Sequence, residues 1–163
     1  MMPNAARPLS ASAQKVQDDL RARGFGNTVI ELEVPVKTAA AAAEGVGCEV
    51  AQIVKSLVFR GTHTGDAVLV VASGANRVDT AKLAALLGED VAMADPRLVR
   101  ELTGFAIGGI PPVGHTSPLP VYIDQHLTTL PDLWAAAGHP NSLFRLTPDE
   151  LVRMTNGRVC ELA

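Results

Sequence analysis

Thr103-Gly104-Phe105-Ala106-Ile107-Gly108-Gly109-Ile110-Pro111-Pro112-Val113-Gly114-His115 is the stretch on which the interpretation of this chain depends. It holds four glycines and two adjacent prolines, and it contains no Asp, Glu, Lys or Arg. Proline fixes φ and lacks an N–H group, so Pro111 and Pro112 stiffen the chain. Glycine has no Cβ, so another molecule can approach the backbone of Gly108 and Gly109 closely. The stretch therefore predicts a rigid, apolar turn.

Two interpretations of this turn are open at the level of composition. It is either a tight connection between two buried segments, or a nest whose N–H groups bind a carbonyl or phosphate oxygen. Because short glycine motifs are weak signals, composition alone favours the tight connection.

Length and composition predict a single compact domain over residues 10–163, preceded by a flexible lead at residues 1–9. Of the 163 residues, 47% are hydrophobic and 19% are charged, which excludes a disordered chain. The sequence shows no signal peptide and no apolar run long enough to span a membrane, so we expect a cytoplasmic protein without a membrane partner.

The charge balance limits the classes of partner. A net charge of −3 argues against a protein that holds DNA or RNA on a broad basic surface, although a local basic pocket can still recognise an RNA end. The two cysteines, Cys48 and Cys160, are too few for a disulfide framework, and no zinc-ligand spacing is present.

Hydrophobic periodicity and punctuating residues predict alternating helices and strands. A helix begins at the N-cap Ser10, buries Ala13, Val16 and Leu20, and ends at Gly24. The predicted strands cover residues 29–34, 55–60, 67–72, 91–94, 119–123, 143–146 and 158–162. Further helices are predicted for residues 39–43, 49–54, 80–87, 96–102, 130–137 and 148–155.

Lys55 stands out because it shares a strand face with Leu57 and Phe59. Burying an unpaired ammonium group is costly. The side chain either covers apolar surface with its stem and reaches water with its head, or it places a cation in a cleft that receives an anion. Sequence alone favours the first alternative.

Three segments resemble the YbaK/prolyl-tRNA synthetase-associated domain family. Gly108-Gly109-Ile110-Pro111-Pro112 is similar to its G-x-x-x-P loop, and residues 50–59 and 119–124 are similar to its flanking segments in order and spacing. The similarity covers about residues 10–162. It implies an α+β fold, with a mixed, mostly antiparallel sheet curled toward a barrel and surrounded by helices.

The resemblance also implies a site. It implies catalytic roles for Lys55, Gly108 and Gly109. It implies substrate-binding roles for Thr38, Ser73, Asn76, Ile110, Pro111, Pro112, His115, Asp124 and Ser142. For Thr38 the N-cap of the following helix is the favoured role, whereas Asp124 is equally consistent with capping the next turn and with orienting the substrate. A lone histidine such as His115 is more often structural than a general base. His139 and Pro140 depart from the commonest forms of the family at that turn.

The implied function is that of a trans-acting aminoacyl-tRNA deacylase, a hydrolase that removes a wrong amino acid from the 3′ end of tRNA without a metal or cofactor. Cysteine or alanine on tRNA(Pro) are the leading substrates by family alone, and prolyl-tRNA synthetase is an expected partner. No activated nucleophile is recognisable in the sequence, so positioning and electrostatics would carry the reaction. The alternative is a non-catalytic module that binds charged tRNA or aminoacyl-adenylate-like ligands.

Overall fold

A computed structural model describes residues 8–33 and 36–163 of the chain. The α-helices are α1 Ala11–Ala22, α2 Ala39–Val46, α3 Thr80–Leu87, α4 Pro96–Thr103 and α5 Pro148–Thr155. The strands are β1 Val29–Glu31, β2 Ile53–Gly61, β3 Ala67–Ser73, β4 Val91–Met93, β5 Val121–Asp124, β6 Leu133–Ala136, β7 Ser142–Leu146 and β8 Arg158–Cys160. Two 3₁₀ helices cover Val50–Gln52 and Gln125–Thr129. Most of the predicted lead (residues 1–7), the last residue of the first predicted strand (Val34) and the Pro35 that follows it lie outside the described residues.

The first helix begins and packs as the sequence predicts. The Ser10 hydroxyl accepts a hydrogen bond from the N–H of Ala13 at 3.2 Å, which satisfies one of the free donors of the helix start. Ala13, Val16 and Leu20 are fully buried on one face of α1. Capping and amphipathic spacing together therefore account for α1.

The eight strands form one mixed sheet in the order β1-β7-β6-β2-β3-β5-β8, with β4 paired to β2 outside that path. The pairs β1–β7, β2–β3, β2–β4 and β6–β7 are antiparallel, and β2–β6, β3–β5 and β5–β8 are parallel. The sheet is mixed and mostly antiparallel, as expected. It does not close into a barrel, because in the described part of the chain β1 and β8 lie at opposite ends of the order.

One predicted element is wrong and another is altered. Residues 130–137 were predicted as a helical turn, but residues 133–136 form β6 between β2 and β7. Its burial alternates, with Leu133 and Ala135 fully buried, so pairing and burial override the helix propensity of alanine. The predicted helix at 49–54 is a single 3₁₀ turn, closed by a capping box between Glu49 and Gln52.

Strand β2 has a gap along one edge. Its other edge pairs with β3 from Val54 to Arg60. On the gapped edge, β6 pairs with Ile53 and Val54, and β4 pairs with Phe59 to Gly61. Ala94, just after β4, donates its N–H to the carbonyl of Val58 at 3.0 Å. Across residues 55–57 no described strand pairs with this edge, and the sheet is open there.

Hydrophobic clusters cover both faces of β2 at the gap. One cluster includes Val54 and Val58 and extends to α1, α4 and β6. A second cluster joins Ile53 to Ala42 of α2 and Leu143 of β7. The gap thus lies between two packed layers. No helix in residues 8–33 or 36–163 has the length and apolar character needed to cross a membrane.

Candidate active site

A cavity of about 260 Å³ occupies the gap between β4 and β6. Its walls come from both hydrophobic clusters and from the connections around the gap, so it reaches both faces of the sheet. Its aliphatic lining consists of Val36, Ala39, Ala42, Ile53, Val54, Leu57, Val58, Ala94, Val99, Ile110, Ala136 and Leu143. The remaining lining residues are Lys37, Thr38, Lys55, Ser56, Met93, Ile107, Gly108 and Pro140.

The cavity carries positive charge in a chain whose net charge is −3. The charged residues that line it are Lys37, which is exposed, and Lys55, which is half-buried. No aspartate or glutamate of the described chain contributes to the lining. In an apolar surrounding an ammonium group attracts an anion more strongly than it does in water. The arrangement favours an anionic or strongly polar ligand with an apolar part.

Lys55 is held by a polar network on one side of the cavity. Its Nζ donates to the backbone carbonyl of Asn76 at 2.7 Å. The Asn76 amide nitrogen donates to Asp124 Oδ2 at 2.8 Å and lies 2.9 Å from His126 Nδ1. An amide nitrogen can only donate, so this contact is a hydrogen bond in the tautomer in which His126 Nδ1 is the acceptor. The network fixes Asn76, and Asn76 in turn orients the ammonium group.

Asp124 serves the fold directly. It is only 2% exposed, and its carboxylate accepts hydrogen bonds from the N–H of Ser73 at 3.3 Å and of His126 at 3.0 Å. The second of these bonds caps the 3₁₀ helix that follows β5. Asn76, Asp124 and His126 line a second, more polar depression of about 450 Å³ instead of the apolar cavity. These three residues therefore do not line the cavity, and they are connected to it by the hydrogen bond between Asn76 and Lys55.

The glycine-rich stretch forms a tight turn at residues 106–109. The N–H of Gly109 donates to the carbonyl of Ala106 at 3.1 Å, and Gly108 has a φ of 97°. A positive φ at the third position is the requirement of a type II turn, and glycine meets it without strain. Gly108 lines the cavity, and its N–H has no acceptor among the described residues. The turn thus leaves the N–H of a cavity-lining residue without a described acceptor.

Gly109 has a different reason to be glycine. It is buried, and a Cβ at this position would lie 2.9 Å from the backbone nitrogen of His139. Its carbonyl accepts the N–H of Gly138 at 2.8 Å. Gly109 therefore packs the turn against residues 138–139, and its N–H is already used within the turn.

The rest of the loop is anchored in the fold. Ile110 is 5% exposed and lines the cavity, whereas Pro111 and Pro112 are buried outside the lining. His115 Nε2 donates to the carbonyl of Pro111 at 2.7 Å. Burial lowers the pKa of His115 below its usual value, although the Pro111 carbonyl opposes that shift. His115 is thus neutral at pH 7 and braces the loop.

The three hydroxyl residues predicted at the site make structural hydrogen bonds. Thr38 lines the cavity, and its Oγ1 also caps α2 by accepting the N–H of Ala41 at 3.1 Å. Ser73 donates to the carbonyl of Ala51 at 2.6 Å, and Ser142 donates to Glu31 Oε1 at 3.1 Å. Ser73 and Ser142 are fully buried and lie outside the lining of the cavity.

Several residues at the site were not singled out from the sequence. Lys37 and Ser56 line the cavity beside Thr38 and Lys55, and His126 completes the Asn76 network. Met93 and Ile107, which are 57% and 52% exposed, also line it. Adjacency to Lys55 and Thr38 was the available signal for Ser56 and Lys37. His126 was signalled by its place two residues after a strand-ending aspartate.

Neither cysteine belongs to the cavity. Burial raises the pKa of Cys48, with further contributions from Asp132 and Glu49, and burial also raises the pKa of Cys160. A thiol with a raised pKa is a poor nucleophile at neutral pH.

Comparison with known proteins identifies the family. The sequence profile of the aminoacyl-tRNA editing domain matches residues 33–154. YwhH of Bacillus subtilis, an uncharacterised protein, is 38% identical over 134 residues, which are 82% of this chain and 84% of YwhH. EbsC of Enterococcus faecalis, named as a candidate Cys-tRNA(Pro)/Cys-tRNA(Cys) deacylase, is 30% identical over 77% of this chain and 76% of its own.

A solved structure supports the same assignment. The crystal structure of a candidate trans-editing enzyme for prolyl-tRNA synthetase is 52% identical to this chain and superposes with a TM-score of 0.91. The match covers 95% of this chain and 98% of the other. With a profile match over most of its length, an open mixed sheet of this form and a lysine-lined cavity at the glycine-rich turn, the chain belongs to the aminoacyl-tRNA editing domain family.

Proposed function

We propose that this protein is a trans-acting aminoacyl-tRNA deacylase that hydrolyses the ester of mischarged tRNA. The observation that carries the proposal is that one small, mostly aliphatic cavity is lined by both Lys55 and Gly108, and that the N–H of Gly108 has no acceptor among the described residues. An aminoacyl ester at the 3′ end of tRNA combines a small side chain, an ester carbonyl and nearby phosphates. The cavity offers an apolar wall, an N–H donor and cations for these three parts.

The reaction is the addition of water to the ester carbonyl. The carbonyl oxygen gains negative charge as the tetrahedral intermediate forms, and the Gly108 N–H donates to it. The bond to the ribose oxygen then breaks, and that oxygen takes up a proton, which releases the free amino acid and the uncharged tRNA. Lys55 holds the terminal nucleotide or its phosphate, so the ester is presented at the turn. Positioning of this kind supplies several kcal/mol of barrier lowering, up to about 7–11 in the best cases.

The proposed substrates are tRNA(Pro) molecules that carry cysteine or alanine. The volume of the cavity favours small side chains, and two of the similar proteins are named for Cys-tRNA(Pro) or for prolyl-tRNA synthetase. Prolyl-tRNA synthetase is accordingly the proposed functional partner, because it produces the mischarged tRNA.

A deacylation screen tests the proposal. Purified protein is incubated with tRNA(Pro) charged separately with cysteine, alanine, serine and proline, and amino acid release is followed against buffer alone. We expect release of a small noncognate amino acid to exceed that of proline by at least tenfold. If the protein retains charged tRNA on a filter without releasing any amino acid, it is a binding module and the proposal is wrong.

A further inference from the structure

Ser56 occupies the open part of the β2 edge. Alternate residues of an antiparallel strand direct their N–H and C=O groups toward the same neighbour. Gly61 donates its N–H to Asp66, and Ile53 accepts the N–H of Gly74. Odd-numbered residues of β2 therefore bond to β3, and even-numbered residues face the other edge.

Of the even-numbered residues, Ser56 is the one that falls in the gap. Val54 pairs with Ala135 of β6, and the carbonyl of Val58 accepts the N–H of Ala94. Neither β4 nor β6 reaches Ser56 in the described chain. The residue is partly exposed and lines the cavity, so its backbone polar groups face the space that a ligand would occupy.

The side chain of Ser56 is a second, independent sign of a ligand. Its Oγ exposes less than 1 Å² and has no hydrogen-bond partner among residues 8–33 and 36–163. Buried hydroxyl groups are normally paired, and an unpaired one is unfavourable. A serine hydroxyl changes position by a single rotation about the Cα–Cβ bond. Because Ser56 borders the cavity, a rotation that moved Oγ into it would allow a ligand to pair with the hydroxyl.

The surroundings limit what such a ligand can be. On the face of β2 that carries the Ser56 side chain, its neighbours Val54 and Val58 are apolar, as are Val99 and Ile110 across the cavity. A lone hydroxyl in an aliphatic wall recognises a small group that bears one hydrogen-bonding atom.

We propose that Ser56 is a specificity-determining residue that turns its hydroxyl into the cavity and bonds to a hydroxyl or thiol on the β-carbon of the aminoacyl group. This inference rests on the proposed function and refines it. The inference predicts that seryl and cysteinyl groups are preferred over an alanyl group as substrates, because an alanyl group would leave the Ser56 hydroxyl unpaired. A site that pairs with a substrate hydroxyl discriminates against the analogue that lacks it.

The test compares two substrates that differ by one oxygen atom. kcat/KM is measured for Ser-tRNA(Pro) and Ala-tRNA(Pro) with the wild type and with Ser56→Ala. We expect the wild type to prefer serine and the variant to lose roughly five- to tenfold of that preference, the effect of one hydrogen bond. The variant should melt at the wild-type temperature or slightly above it, because the substitution removes an unpaired buried group.

An unchanged serine-to-alanine ratio in Ser56→Ala would overturn the inference while leaving the proposed function intact. A lower melting temperature for Ser56→Ala would also overturn it, because the hydroxyl would then have a structural partner. If the wild type hydrolyses neither of these tRNAs and also releases no cysteine from Cys-tRNA(Pro), the proposed function fails. In that case the Kd values of two adenosine analogues are compared, one carrying a seryl and the other an alanyl group through a stable 3′-amide. An equal ratio of these Kd values in the wild type and in Ser56→Ala contradicts the inference.

Discussion

The ammonium group of Lys55 donates to the backbone carbonyl of Asn76 at 2.7 Å, and this bond links the apolar cavity to the polar network around Asp124. A lysine side chain has four rotatable bonds, and fixing it costs conformational entropy. The hydrogen bond to Asn76 fixes the position of the ammonium group before any ligand binds. The positions of Asn76, Asp124 and His126 are therefore part of how the cation is oriented.

Replacing Lys55 with alanine should abolish most of the deacylase activity and leave the fold intact. We expect kcat/KM to fall by at least 100-fold, on the order of 2.7 kcal/mol of transition-state stabilisation. Lys82→Ala is the matched control, because Lys82 lies on α3 and pairs with the exposed Glu161 at 2.7 Å. Wild-type rates for Lys55→Ala, with normal melting of both variants, would refute the role of the cation.

His126 should act as a positioning residue through its acceptor nitrogen. His126→Ala removes one of the two groups that hold the Asn76 amide, so we expect kcat/KM to fall roughly three- to tenfold, in line with one hydrogen bond. His126→Asn places a carbonyl oxygen near the former Nδ1 and should restore most of the activity. Equal losses in the two variants would show that the acceptor is irrelevant.

Gly108 and Gly109 should respond differently to alanine. Gly108→Ala meets no atom within 4 Å but strains a backbone with φ of 97°, which costs about 1 kcal/mol. Gly88→Ala, at the end of α3, carries the same kind of strain without touching the cavity and is the control. Both variants should melt roughly 2–4 °C lower, and only Gly108→Ala should also lose turnover.

Gly109→Ala should chiefly lower stability, because its Cβ would collide with the backbone at His139. Comparing melting temperatures and single-turnover rates of the three variants separates strain from function. A Gly108→Ala variant with the kinetics of Gly88→Ala would show that the substrate does not approach the backbone of Gly108 closely.

The double variant Cys48→Ala/Cys160→Ala should keep nearly full activity. Both thiols have raised pKa values, and neither lines the cavity. Deacylation of mischarged tRNA before and after the substitutions is the measurement. A covalent aminoacyl thioester trapped on either cysteine would show that the reaction uses a protein nucleophile.

His115 should make stability depend on pH in one direction. Its folded pKa lies below the usual value of 6.5, so the unfolded chain takes up a proton first as pH falls. The stability that His115 contributes is complete above pH 6.5 and is lost as pH falls through its folded pKa. The difference in melting temperature between pH 7.5 and pH 5 should therefore be smaller for His115→Gln than for the wild type.

Local signals predicted the elements whose cause is local. Thr38, Asp95 and Thr147 cap the helices that follow them, and Gly104 ends α4 with a positive φ. β6 was missed because its strand character depends on pairing outside the segment, with Ile53 of β2, which is distant in sequence, and with Phe144 of the strand that follows. No pattern within residues 130–137 contains that information.

The candidate site also combines features that local sequence predicts with features that depend on tertiary structure. Lys55 and the tight turn stand out by residue type, but their meeting at one cavity depends on where β4 and β6 end along β2. Sequence reasoning also treated Gly108 and Gly109 alike. The structure separates them, because only Gly109 faces another backbone.

The width of the opening in the β2 edge depends on how many residues of β4 and β6 pair with β2. Two more residue pairs between β2 and β6, at positions 55 and 56, would cover Ser56 and narrow the cavity, and one pair fewer would widen it. Each such change adds or removes a rung at the end of a short strand and leaves the buried faces of the sheet in register. The size of the group that fits the cavity can therefore change through strand length alone, without a change in the core.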